Sequence, residues 1–149
     1  MKNLLTQILT TIILFSIGFS QDFSASLNAV GGDGTDTTAA NYDLTFGFNP
    51  DATDGYDEGI DSYAPPAPPP PVFDAALSWN GDRYYTQILA GDGNLSEHEY
   101  AISLAYGSDN LITITWDNTG WSDLGTFVLQ DAFGGALGID IDMTTEASL

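Results

Sequence analysis

Cysteine is absent from the chain, so no disulfide framework or thiolate metal site can support the fold. Cations are almost as scarce: Lys2 and Arg83 stand against 21 Asp and Glu, a formal charge of −19. A surface of that sign repels phosphate backbones and anionic lipid, which argues against nucleic acid and membrane partners. There is one histidine, His98, flanked by Glu97 and Glu99. With no cysteine partner and no Gly-x-Ser-x-Gly elbow, nucleophilic catalysis has no constellation to build on, and zinc lacks ligands. His98 therefore reads as a capping or surface residue. Acids are so numerous that any pair could be nominated for glycoside hydrolysis, and the choice carries no information. No enzyme, no catalytic residue and no organic cofactor are expected.

Long apolar runs are also missing, apart from residues 4–19, which follow the short positive start Met1-Lys2-Asn3. Sixteen residues fall short of the ~20 that span a bilayer, and Gly18-Phe19-Ser20 offers small residues at the positions a signal peptidase reads. A signal peptide over 1–20, cleaved before Gln21, is expected, with a retained anchor as the alternative. No cysteine lies near Ser20, so lipid attachment there is excluded. The mature charge would be −20, with Arg83 the remaining cation.

What is present is a chain able to fold. Hydrophobic residues make up 43% of it, including three Trp, seven Tyr and eight Phe, too many for a disordered polypeptide and enough for one core. Apolar residues alternate with polar ones in several stretches. Tyr42, Leu44, Phe46 and Phe48 share a face, as do Phe73, Ala75, Leu77 and Trp79, and Tyr100, Ile102, Leu104 and Tyr106. Ile112, Ile114 and Trp116 form a fourth set, and Leu137, Ile139, Ile141 and Met143 a fifth. Period two marks half-buried strands. Shorter strands are expected over 23–30, 84–90 and 126–130. Turn signals at Asn80-Gly81, Gly91-Asp92-Gly93 and Gly134-Gly135 separate them, and no sustained helical period appears after residue 20. The predicted fold is all-β, an antiparallel β-sandwich of Ig-like or jelly-roll-like type, forming one module over 21–149. Pro65 to Pro71 cannot donate to a ladder and should run as an extended crossover. The chain stops at Leu149 directly after a strong strand, so a truncated module missing its last strand is expected.

The sharpest chemical feature is the stretch Asn49-Pro50-Asp51-Ala52-Thr53-Asp54-Gly55-Tyr56-Asp57-Glu58-Gly59-Ile60-Asp61, with five carboxylates in eleven residues. Carboxylates so close need solvation or a hard cation, and oxygen-rich loops are what calcium binds. The glycine at 55 falls one place late for an EF-hand, and the flanking strands do not fit one. A generic calcium loop would use Asp51, Asp54, Asp57 and Asp61. The alternatives are a solvated, turn-rich loop and a halophilic surface, since Asp33, Asp92, Asp109 and Asp123 are scattered. Gly31-Gly32-Asp33-Gly34-Thr35-Asp36 is a second, poorer candidate. Asn94-Leu95-Ser96 fits a glycosylation sequon.

The order of these motifs resembles a known kind of module. Phe46-Gly47-Phe48, the string Pro50 to Asp57, Gly59-Ile60-Asp61, the proline run and Val72-Phe73-Asp74-Ala75 carry the first half of the likeness. Leu111 to Asp117, Phe127 to Asp131 and Ile141-Asp142-Met143 carry the second. Over roughly residues 42–146 the chain resembles a β-sandwich accessory module of large secreted proteins of environmental bacteria, often ones ending in a type IX secretion sorting domain. That resemblance implies a secreted or cell-surface, non-catalytic domain with neighbouring domains in a longer parent chain; stopping at Leu149 departs from the pattern. The expected role is structural or adhesive, with a cell-surface protein or polysaccharide as partner. The alternative is a carbohydrate-binding module presenting Trp79, Tyr84, Tyr85 or Trp121 to a polysaccharide.

Overall fold

A computed structural model describes residues 22–91 and 97–149. The expected signal peptide and the sequon at 94–96 lie outside the described residues. Nine strands follow in chain order: β1 (Phe23–Gly31), β2 (Asn41–Asn49), β3 (Ser62–Tyr63), β4 (Asp74–Trp79), β5 (Asp82–Ala90), β6 (Ala101–Ala105), β7 (Ile112–Trp116), β8 (Val128–Gln130) and β9 (Asp140–Asp142). The one helical element described is a 3-10 turn at Trp121–Asp123. The protein is all-β and sandwich-like, as the alternation predicts.

The main sheet runs β6-β4-β5-β2-β1-β7, with β3 also on β5, and β8 pairs with β9 in a second small sheet. Every pairing is antiparallel except β2 with β5, which run parallel from Thr45↔Thr86 to Asn49↔Ala90. A parallel pair needs a long crossover. Here the crossover is the acidic loop, β3, the proline segment and the β4–β5 hairpin, so these stretches belong to the fold and are not appendages. Asn80 and Gly81 turn that hairpin with φ of 52° and 90°, the left-handed pair of a type I′ turn.

The sheet curls so that its two halves share one core. Leu27, Leu44, Phe46, Ile114 and Trp116 from the β1-β2-β7 half are buried with Ala75, Leu77 and Tyr84 from the β4-β5 half. Phe46 meets the Tyr100 ring at 5.2 Å, and the Tyr100 hydroxyl donates to the Gly47 carbonyl. Gly47 admits no side chain, because a Cβ there would stand 2.0 Å from the Phe23 carbonyl oxygen. The second sheet caps the Phe23 end through Phe127, whose ring lies 4.7 Å from Trp121 and 5.2 Å from Phe23. Residues 147–149 run along the outer edge of β7, exchanging amide bonds between Ile114 and Leu149 at 2.9 and 2.8 Å.

Two readings of the alternation need correction. The fifth set was predicted as a strand from Leu137, but β9 begins at Asp140 and Leu137 is 74% exposed in the turn before it. Leu104 and Tyr106 of the third set are exposed too, so β6 buries that face only in part.

Candidate functional site

The acidic loop leaves β2 through an Asn-Pro turn. Asn49 Oδ1 accepts the Asp51 N–H at 2.8 Å, while the Asn49 carbonyl accepts from Ala52 and Gly91. From there the carboxylates form a relay. Asp57 Oδ2 accepts the Thr53 N–H at 2.6 Å and the Thr53 hydroxyl at 3.0 Å; the Asp57 N–H donates to Asp61 Oδ2 at 2.8 Å. Asp61 Oδ1 accepts the Ile88 N–H of β5 at 2.8 Å. Asp54 makes a second tie, accepting the Ala90 N–H at 3.2 Å on its carboxylate and the Trp79 indole N–H at 2.8 Å on its carbonyl. The loop is thus bolted to β5 at two points and to β4 at one.

Burial follows the bolting. Asp61 is buried at 7% exposure, Asp57 is half-buried, and Asp51 and Asp54 are exposed. The four residues proposed as calcium ligands do not converge. Among the described residues, no three His, Cys, Asp or Glu side chains gather where they could hold a metal ion. Asp54, Asp57 and Asp61 each take a different backbone amide, those of Ala90, Thr53 and Ile88. A groove of about 370 Å³ beside the loop is lined by Asp54, Trp79, Leu89, Glu97, Glu99 and Ala101.

Acids elsewhere in the chain have the same employment, Asp33 of the scattered set among them. Asp33, Asp36, Asp117 and Asp142 each accept the N–H and the hydroxyl of a threonine two residues on, Thr35, Thr38, Thr119 and Thr144, at 2.6 to 3.0 Å. The threonine hydroxyl, and then its amide, hold these carboxyls below the usual range. The second candidate loop, residues 31–36, is therefore a pair of braced turns. Asp131 braces a longer one, accepting from Phe133, Leu137 and Ile139. Partial desolvation works to raise its carboxyl, and the amide bonds outweigh it and bring it down. An Asp followed two places later by Thr is the sequence signal for this role, and it is separate from the denser cluster at 51–61.

The aromatic candidates divide. Tyr84 and Trp121 are buried, and Trp79 and Tyr85 are half-buried. Burial pushes the Tyr84 phenol up to about 12. The exposed rings are others, among them Tyr56 and Tyr63, which stack at 4.3 Å and 7° with Tyr84 behind them at 4.9 Å. His98 is half-buried and stacks on Phe48 at 4.6 Å, with Nε2 3.1 Å from the Ala90 carbonyl oxygen. Arg83, the cation of the described chain, pairs with buried Asp74.

No family model matches the chain, and neither a curated protein nor a solved structure matches it.

Proposed function

We propose that the protein is a secreted, non-catalytic structural or adhesive module of the cell surface. The observation that carries this reading is the bolt from the acidic loop to β5, in which Asp61 joins Asp57 to the Ile88 amide. The densest chemical cluster in the sequence is spent on holding a crossover against the sheet. The sequence resemblance supports the same reading, as does the charge of −19, which disfavours nucleic acid and anionic lipid as partners. Polysaccharide binding through Trp79, Tyr84, Tyr85 or Trp121 is less well supported, because none of the four stands among the exposed rings.

Calcium enters this proposal as an addition to a loop already folded by its own amides. Melting the protein in calcium and in chelator at matched ionic strength tests that part. A site filled to a hundred times its dissociation constant adds about 2.7 kcal/mol. A rise specific to calcium and lost in Asp54→Asn supports it; an unchanged melt removes calcium and leaves the bolt. The surface role is tested by antibody labelling of intact producing cells. Label on the outer surface or in the medium is expected, and a protein confined to the cytoplasm overturns the reading.

A further inference from the structure

Phe133 and Leu137, 70% and 74% exposed, are the two most exposed large apolar side chains among the described residues, and both belong to the turn between β8 and β9. Single exposed apolar residues are ordinary; two on one ordered turn call for a reason. This turn is ordered. Asp131 accepts the Phe133 N–H at 2.9 Å, the Leu137 N–H at 2.8 Å and the Ile139 N–H at 3.3 Å. The Asp131 carbonyl takes the Gly134 N–H at 3.0 Å. Below it, Leu129 and Ile141 pack against the core, and Met143 donates to the Phe127 carbonyl at 2.9 Å. An aromatic anchor on a backbone already held in shape loses little entropy on docking, which is what interface hot spots require. The neck carries Asp131, Asp140 and Asp142, and residues 121–149 contain no Lys, Arg or His.

We propose that the β8–β9 turn is a docking knob for a basic amphipathic partner segment, with the apolar side of that segment on Phe133 and Leu137 and its lysines or arginines against Asp131, Asp140 and Asp142. Charge selects this occupant. A second copy brings a further −19, and an anionic bilayer carries the same sign, so both are repelled where a cationic segment is attracted. The inference needs neither secretion nor the loop at 49–61, so it can fail without them and they without it.

The test is fluorescence anisotropy of the intact protein with a labelled leucine–lysine amphipathic peptide, beside a lysine–serine peptide of equal charge. Phe133→Ser with Leu137→Ser leaves the protein's charge unchanged and, since both side chains are exposed, should leave its melting unchanged. The double variant is expected to bind the amphipathic peptide at least ~10-fold more weakly and the lysine–serine peptide equally well. Should it melt early, Phe133→Ser alone gives the same reading at smaller size. Equal affinity of both proteins for the amphipathic peptide overturns the proposal, since bulk charge then explains binding. So does concentration-dependent self-association that the double variant abolishes, because a second copy would then be the occupant. Binding to neutral-lipid vesicles that depends on Phe133, with no preference for the amphipathic peptide, overturns it in favour of a membrane.

Discussion

Loop 49–61 and the β8–β9 turn are built from the same materials, Asp and Gly around a few apolar residues, and use them to opposite ends. In the loop, carboxylates accept amides from elsewhere in the chain: Asp61 reaches Ile88 and Asp54 reaches Ala90, 27 and 36 residues away. In the turn, Asp131 accepts from residues up to eight places on, Phe133, Leu137 and Ile139 among them. The first arrangement ties a crossover down; the second shapes a projection. An amide-bound carboxylate is a local organiser in both, and in the loop the distant donors Ile88 and Ala90 also fasten the segment to β5.

The largest expected break in this comparison comes from Asp61→Ala. It removes two charge-assisted bonds and leaves the Ile88 amide to find another acceptor, so a loss of about 3 kcal/mol is expected in chemical denaturation. Asp61→Asn, which keeps one acceptor oxygen, should lose less. Acid should act next. The carboxyls of Asp33, Asp36, Asp117, Asp131 and Asp142 titrate below their ordinary value of 3.8 in the folded protein. The unfolded chain therefore takes up protons first, and their stabilisation, full above the ordinary value, is lost as pH falls through the lower folded values. Because these carboxyls are exposed and screened, a modest fall in melting temperature below about pH 4 is expected, and a melting temperature flat across that range would remove the braces from the account. Trp79→Phe tests the tie to β4, and about 1 kcal/mol should go with the indole bond to the Asp54 carbonyl. Asp131→Ala should move global melting least of all, while hydrogen exchange at Phe133, Leu137 and Ile139 accelerates because the turn opens locally.

Much of the fold was legible in the sequence because period-two patterning is a local signal. Tyr42 to Phe48 and Ile112 to Trp116 fall on β2 and β7, and Asn80-Gly81 makes the turn its chemistry demands. The same signal misled at Leu137, where alternation continues into a turn whose shape is fixed by Asp131, six residues upstream. The parallel β2–β5 pair was not legible, since pairing across a long crossover leaves no mark in either strand. At the acidic loop, spacing shows only that Asp51, Asp54, Asp57 and Asp61 lie in one segment. It could not say which way each carboxylate turns, because the donors at Ile88 and Ala90 are distant in sequence.

The exchange rate of the Ile88 amide bears most directly on the central claim, that loop carboxylates are spent fastening the crossover. In the native protein that amide should exchange only through global unfolding, and in Asp61→Ala it should exchange much faster than the change in global stability alone allows. An Ile88 amide that exchanges freely in the native protein, or one whose protection is untouched by Asp61→Ala, would contradict the account.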